Sequence, residues 1–188
     1  MNREINLTTG TKSLLWGVHQ LMWHPFTVYL AWLYLYKKFP NFKETICIIV
    51  HDWGYFGKVK MDDEAGQKHP ELGANLAGRF LDKGKSKRYY NLCLFHSRHY
   101  SKNNKTTPSK LCWADKMSIK YDPYITYITR AMLSGELKEY KENSKKALGE
   151  NISNREWYNF IREYLIKLGT KQRANAVPYM ETVEHSKK

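Results

Sequence analysis

Apolar residues recur at helical spacing along most of this chain, whereas short runs that alternate between apolar and polar residues are scarce. The pattern first occurs at Leu14, Leu15, Val18, Leu21 and Met22, where Val18 lies three or four residues from each of the other four. Because this spacing places apolar side chains on one side of a helix, it predicts helices that pack through those sides. We therefore expect an all-α fold.

Capping and turn residues divide the chain into predicted helices. Pro25 interrupts the first apolar segment, and a second helical piece is expected over residues 26–38. Asn41 and Glu44 have the spacing of a capping box, which predicts a helix that ends at the His51-Asp52 pair. A polar loop is expected over residues 58–68. Further helices are predicted over residues 70–83, 86–100, 107–115, 122–135 and 153–169.

Length and charge bound the organisation of the protein. The 188 residues suit one domain, which we place at residues 1–169, followed by a basic, flexible tail at 170–188. Lys and Arg number 31 against 18 acidic residues, a net charge of +13. Such an excess favours partners that carry phosphate, such as nucleotides, nucleic acid or an anionic membrane surface. The oligomeric state is left open.

The cysteines and the N-terminal segment bear on the compartment. Three well-separated cysteines, an odd number, predict buried reduced thiols, and the N-terminus lacks a secretory signal, so a cytoplasmic location is expected. Residues 13–36 contain no Lys, Arg, Asp or Glu and are long enough to cross a bilayer. His19, Gln20, His24 and Pro25 are costly or disruptive in hydrocarbon, so we expect buried core helices there rather than a membrane anchor.

The His51-Asp52 pair follows the apolar run of residues 46–50 and is the first sign of a metal site. Burying an ionised carboxylate costs several kcal/mol unless a cation or hydrogen bonds compensate. An isolated pair of this kind is often only hydrogen-bonded at a helix end. The other residues of ligand type also lie beside apolar or aromatic residues: His24, His69, His96 and Asp115.

This set of side chains favours particular metals and a particular chemistry. Imidazole with carboxylate binds Mn, Fe, Co, Ni or Zn ions, whereas Mg²⁺ prefers oxygen ligands and water. One ion could be held by His24, His51, Asp52 and Asp115, and a second by His69 and His96, with Asp52 as a bridge. Two such ions can activate a water molecule and bind the oxygens of a phosphate ester. The nearby cations expected to stabilise the transition state are Lys58, Arg98 and Lys116.

Five motifs follow one another along the chain: His24, His51-Asp52, His69-Pro-Glu-Leu-Gly, His96 and Ala-Asp115. In this order they resemble the motifs of the HD-domain superfamily of metal-dependent phosphohydrolases, and the resemblance covers about residues 13–133. They are most similar to the two-metal branches, such as the HD-type diadenosine polyphosphate hydrolases and the HD-GYP cyclic-dinucleotide phosphodiesterases. The resemblance implies a bundle of about five core helices plus C-terminal helices. It also implies that His24, His51, Asp52 and Asp115 are the shared ligands and that His69 and His96 are the extra ligands of dinuclear forms.

Two departures from these branches bear on the assignment. They commonly have a Lys three residues after the His-Asp pair, whereas Lys58 is six residues after Asp52. The Gly-Tyr-Pro element of the HD-GYP group is missing, which makes cleavage of a cyclic dinucleotide the less favoured activity.

These observations predict a hydrolase that cleaves a phosphoester or phosphoanhydride bond of a nucleotide with a metal-activated water. Asp52, Lys58, Arg98 and His99 are the expected catalytic residues. His96 and His99 would share the inward face of one helix, and His99 could be a ligand, a proton donor or a core residue. The alternative is a non-catalytic module that binds a nucleotide or nucleic acid.

The remaining residues of this kind receive a structural interpretation. His19 is expected to pack in the first helix as a core or groove residue, and His185 lies in the predicted tail. The tryptophans are expected in the core, although Trp53 and Tyr55 lie close enough to the site to stack on a nucleobase.

Overall fold

A computed structural model of the chain describes residues 11–61, 63–82, 86–149 and 151–185, with side chains up to Arg173. Within these ranges there are helices and turns and no strand, so the all-α prediction is confirmed. The helices are α1 (Thr11–Trp16), α2 (Trp23–Tyr36), α3 (Phe42–Val50), α4 (Glu64–Gln67), α5 (Pro70–Ala77), α6 (Arg88–Leu94), α7 (Arg98–Asn103), α8 (Lys110–Met117), α9 (Tyr124–Ser134), α10 (Glu136–Leu148) and α11 (Asn154–His185). Short 3₁₀ turns lie at Trp53–Tyr55 and Ser118–Tyr121, and a π turn lies at Gly78–Asp82.

Three predicted helix starts are confirmed by their local geometry. At α3, the Glu44 amide donates to Asn41 Oδ1 at 2.9 Å, and the Asn41 amide donates to Glu44 Oε2 at 2.8 Å, which is a complete capping box. Ser153 and Glu156 form the same reciprocal pair ahead of α11. Pro70 occupies the first position of α5, where its missing N–H costs nothing.

Two predicted helix boundaries were wrong. One depends on where a proline lies within its helix, and the other on contacts with residues elsewhere in the chain. Pro25 does not interrupt a helix; it lies in the first turn of α2, where no intrahelical partner is lost. The predicted helix over residues 86–100 is divided between α6 and α7. The Phe95 carbonyl at this break accepts hydrogen bonds from the Ser109 amide at 2.9 Å and from Ser101 Oγ at 3.3 Å.

The C-terminal half also departs from the prediction. Helix α11 does not end at Gly169 but continues to His185, and α10 lies where the sequence pattern predicted no helix. In the N-terminal half, α4 likewise lies within the predicted polar loop. Gly169 instead allows α11 to approach α8, because a Cβ atom there would lie 3.0 Å from Met117 Cε. The flexible tail at 170–188 stays a prediction, and its last residues, 186–188, lie outside the described ranges.

Three clusters of buried side chains hold the helices together. The largest is built from α2, α3, α5, α6 and α8, and the second from α9, α10 and α11 with Val18 and Ile119. The smallest contains Leu14, Tyr55 and Met61. The predicted burial of the cysteines is confirmed, since all three thiols are buried and free. No helix among the described residues is long and apolar enough to span a membrane.

Candidate metal centre

The His51-Asp52 pair lies where the end of α3 packs closely against the start of α5. A Cβ atom on Gly54 would lie 1.9 Å from the His69 carbonyl oxygen, and one on Gly73 would lie 2.6 Å from the Val50 oxygen. Only glycine permits backbones to approach this closely. These two glycines therefore allow His69 to reach the His51-Asp52 pair.

Three of the predicted ligand histidines are oriented in the same way. Each donates from Nδ1 to the backbone carbonyl three residues before it, so that Nε2 is directed away from that carbonyl and towards the other ligand-type residues. The hydrogen bonds run from His51 to Ile48 at 2.8 Å, from His69 to Gly66 at 2.8 Å, and from His96 to Cys93 at 2.5 Å.

The first group of ligand atoms surrounds Oδ2 of Asp52. His24 Nε2 lies 3.2 Å and His51 Nε2 lies 3.3 Å from this oxygen, and His24 Nε2 lies 3.1 Å from Asp115 Oδ1. All four residues are buried. Nevertheless Nε2 of both histidines and Oδ2 of Asp52 lack a hydrogen-bond partner with suitable geometry. Buried polar atoms without partners are costly, and a bound cation is one group that would satisfy all three of these atoms.

The second group surrounds the other oxygen of the same carboxylate. Asp52 Oδ1 lies 3.2 Å from His96 Nε2 and 3.6 Å from His69 Nε2, and these two nitrogens lie 3.0 Å apart. Because both Nδ1 atoms face carbonyl oxygens, a hydrogen bond between the two Nε2 atoms would require one imidazolium. The pKa of His69 is held well below its usual value by burial and by the nearby His96, which disfavours a charge on His69. A metal ion bound by both Nε2 atoms would take the place of the proton between them.

The two groups fit metal binding in both geometry and chemistry. Within each group the ligand atoms lie within 4.8 Å of one another, and Asp52 belongs to both. Nitrogen and oxygen ligands of one ion, bound at about 2.1 Å, lie roughly 3.0 to 3.4 Å apart, close to several of the distances above. The structure thus brings together the six predicted ligands, and Asp52 is common to both groups.

The charges of the metal-free site compensate one another. Burial alone lowers the pKa of His51, but the Asp52 and Asp115 carboxylates raise it to about 10. Burial likewise lowers the pKa of His24, but the Asp115 and Asp52 carboxylates raise it overall. Burial would raise the pKa of Asp52, but His51 and its neighbours hold it well below its usual value. Protons on these histidines replace part of the positive charge that an ion would bring.

A cavity of about 220 Å³ opens over the ligands, and we call it the metal cavity. Of the predicted catalytic cations, Arg98 lines it and Lys58 does not. Lys116 also lines it, with Nζ 2.9 Å from Asp115 Oδ2. Although burial lowers the pKa of Lys116, the Asp115 carboxylate raises it overall, so the side chain is cationic. Arg98 and Lys116 are therefore the predicted cations that lie at the metal cavity.

His99 lies at the rim of the metal cavity and not on an inward helix face. The break between α6 and α7 turns its side chain outwards, so it is exposed, and Asn103 Nδ2 lies 2.9 Å from its Nε2. The prediction that His96 and His99 share one inward face was therefore wrong. His99 still lines the cavity, at a distance from the ligand groups.

His19 lines the same cavity, which the sequence did not indicate. Its Nδ1 lies 3.0 Å from Glu136 Oε1, and its Nε2 lies 3.9 Å from Asp52 Oδ2. Glu136 is fully buried, and it accepts hydrogen bonds from Ser13 Oγ and from the Val18 amide. Burial would raise the pKa of Glu136, but His19, the Ser134 hydroxyl and the Val18 amide lower it to about 2. An ionised carboxylate thus orients His19 towards the cavity.

A second cavity of about 340 Å³ shares part of its lining with the metal cavity, including His19, Arg98 and Lys116. Its outer part is formed by side chains of α9, α10 and α11: Tyr127, Tyr140, Trp157, Ile161, Tyr164 and Leu165. The C-terminal helices therefore provide a largely aromatic chamber beside the ligands. Nothing in the spacing of the ligand motifs predicted it.

The two aromatic residues expected beside the site differ in placement. The Tyr55 ring is buried and stacks on His69, with ring centroids 4.0 Å apart, and it lines both cavities. Tyr55 thereby helps to orient a ligand histidine. Trp53 is partly exposed and lines neither cavity.

Scans of the chain against protein-family models find no matching family, and searches of curated proteins and of solved structures find no match either. The resemblance to the HD-domain superfamily therefore stays a prediction from the sequence motifs.

Proposed function

We propose that this protein is a metal-dependent phosphohydrolase that cleaves a phosphoester or phosphoanhydride bond of a nucleotide. The observation that carries the proposal is the sharing of Asp52 between two buried ligand groups, one at each carboxylate oxygen. Two ions bridged by one carboxylate are the arrangement used by many enzymes that displace a group at phosphorus.

The ligand set favours one or two ions of Mn, Fe, Co, Ni or Zn, because four of the six ligands are imidazoles. When bound, such ions lower the pKa of a coordinated water and polarise the phosphoryl group. His51, His69 and His96 are oriented for this task by backbone carbonyls, which accept from Nδ1 and leave Nε2 directed at the site.

The residues around the metal cavity support a phosphate substrate. Lys116 and Arg98 line both adjoining cavities, so their charges face the place where a phosphoryl group would sit. Cations there bind the phosphoryl oxygens and offset negative charge that develops during the reaction. The aromatic chamber suits the organic part of a nucleotide, because nucleobases stack on aromatic rings.

The test combines metal analysis with a hydrolysis screen. Protein purified without chelator is analysed for metal, and mono-, tri- and dinucleotides are offered with added Mn²⁺, Fe²⁺ or Co²⁺. Asp52→Ala should lose metal from both groups and lower the hydrolysis rate by about 10³-fold or more.

Asp82→Asn is the matched control, since Asp82 is a buried carboxylate that accepts from the Tyr89 and Tyr90 amides and lies outside the metal cavity. This variant should lose some stability but keep its metal and its rate. Equal hydrolysis by wild type and Asp52→Ala would refute the proposal. Nucleotide binding without turnover or metal would support the non-catalytic alternative.

A further inference from the structure

A basic cavity lies apart from the metal centre. Its volume is about 650 Å³, larger than that of the metal cavity, and we call it the basic cavity. Five cationic side chains line it: Lys37, Lys38, Arg88, Lys110 and Arg173. Its acidic lining residue is Glu44, whose carboxylate is already engaged with the Asn41 amide in the capping box of α3. The lining therefore carries a strong positive excess.

The basic cavity is separate from the proposed catalytic site. It shares no lining residue with the metal cavity or with the aromatic chamber. Helix α2 carries His24 at its start and is followed at its end by Lys37, which places the two sites about 20 Å apart along an α-helix. Helix α3 likewise contributes Glu44 to the basic cavity and is followed by His51 of the candidate metal centre. Helix α8 contributes Lys110 to the basic cavity and Asp115 to the candidate metal centre.

Two of the lysines that line this cavity, Lys37 and Lys38, are not paired with a carboxylate in the described ranges. The Lys37 ammonium instead lies 4.6 Å from the centre of the Tyr34 ring. Arg173 donates to the Leu35 carbonyl at 3.3 Å and so stays at the cavity wall. Clustered cations of this kind attract anions, above all phosphates.

The same cavity has an aromatic wall. Trp32 and Tyr36 pack edge to face with ring centres 4.9 Å apart, and the Tyr36 hydroxyl donates to the Lys110 carbonyl at 2.8 Å, so the rings are fixed. Phe39 also lines the cavity and is 71% exposed. An exposed phenyl ring beside cations offers a stacking surface for a planar base, which a site for a bare anion does not need.

We propose that the basic cavity binds a nucleoside polyphosphate, with its phosphates on the lysines and arginines and its base against the aromatic wall. The cavity volume lies within the range of about 300 to 1,000 Å³ that is usual for small-molecule sites, which favours a single nucleotide over a nucleic-acid strand. This site does not depend on hydrolysis at the metal centre, so either proposal can fail without the other.

Binding of methylene-bridged ATP and GTP to the full-length protein, measured by calorimetry, tests this site. Replacing both lysines, in Lys37→Gln/Lys38→Gln, should weaken binding about tenfold or more, because two charge-assisted contacts are lost. The double variant Lys102→Gln/Lys138→Gln is the matched control: both lysines are exposed and line neither cavity, and binding should be unchanged. The metal-centre variant Asp52→Ala should keep this binding site.

A second pair of variants tests the aromatic wall. Phe39→Ala should weaken binding of the nucleotide analogues about fivefold or more, while binding of inorganic tripolyphosphate stays the same. Phe80→Ala removes a similarly exposed phenyl ring that does not line the cavity, and should have no effect.

Three results would overturn the proposal. The first is loss of analogue binding in Asp52→Ala but not in Lys37→Gln/Lys38→Gln, which would assign all nucleotide binding to the metal centre. The second is equal affinity for tripolyphosphate and for the nucleotides, which would leave only an anion site. The third is tight binding of a ten-residue oligouridylate that the nucleotide analogues do not displace, which would indicate a nucleic-acid surface.

Discussion

The candidate metal centre and the basic cavity lie at opposite ends of α2, α3 and α8, and they differ in how their charged side chains are buried and paired. At the metal centre, carboxylates and imidazoles are buried together, and each raises or lowers the pKa of the other. At the basic cavity, cations gather around open space with little acidic compensation. The first arrangement suits a small cation and the second suits a large anion.

This difference follows from burial. A charge in the interior must be paired or bound to a metal, because desolvation costs several kcal/mol per ion. Charges that line an open cavity keep much of their hydration, so an unpaired lysine such as Lys38 is tolerated there. Stability should therefore depend strongly on what occupies the metal centre and weakly on what occupies the basic cavity. The predictions below test that contrast, beginning with the largest expected effect.

Removal of metal should destabilise the protein far more than removal of any nucleotide. An ion present at a thousand times its dissociation constant stabilises the folded state by about 4 kcal/mol, which corresponds to a rise in Tm of roughly 8 to 16 °C for a chain of this length. Thermal unfolding with chelator, and again after Mn²⁺ or Zn²⁺ is restored, measures the effect. Asp52→Ala is the control, since chelator should not shift its Tm. An unchanged Tm for the wild type would contradict metal binding.

Acid should lower the free energy of unfolding, because it protonates Glu136 beside the metal cavity. The pKa of Glu136 is lowered from 4.5 to about 2. A carboxylate with a lowered folded-state pKa stabilises the fold above pH 4.5, and this contribution is lost as the pH falls through about 2. Its size is about 3 kcal/mol. Urea unfolding of wild type and Glu136→Gln should differ most at pH 5, and the difference should shrink towards pH 2.

The exposed Glu163→Gln variant controls for the general effect of removing a carboxylate. A difference between wild type and Glu136→Gln that stays constant from pH 5 to pH 2 would show that Glu136 is not held ionised.

The smallest effect concerns the cation at the metal cavity, and it rests on the proposed function. Lys116→Gln should lower kcat/KM about a hundredfold with metal content unchanged, because Lys116 lines the cavity and contacts Asp115. Lys58→Gln is the matched control and should retain the wild-type rate, since Lys58 does not line that cavity. Kinetics and metal analysis of both variants check this. The reverse result would favour the role that the sequence motif suggests for Lys58.

Local signals in the sequence predicted the helices whose causes are local. The capping box of Asn41 and Glu44 and the position of Pro70 depend on neighbours within one turn, and both were predicted correctly. Helix ends that depend on packing were not. Gly169 has the sequence appearance of a helix stop, yet in the structure it permits contact with Met117. The residue pattern within one helix does not show which other helix packs against it.

The site shows the same division. The six residues of ligand type were identified in order, because each lies beside apolar residues and recurs with family-like spacing. The role of His19 could not be predicted, since its partner Glu136 is 117 residues away in the chain. The break at Phe95, which places His96 inside and His99 outside, is stabilised by contacts with Ser101 and Ser109.

The helical class, the ligand-type residues and most of the helices that carry them follow from the amino-acid sequence, because they depend on periodicity, side-chain chemistry and turns of a few residues. Three features required the folded structure: the cations that face the ligand-type residues, the aromatic chamber beside them, and the basic cavity at the far end of the same helices. Those features arise where segments distant in the chain pack together, and the close approaches at Gly54 and Gly73 exist only in the folded state.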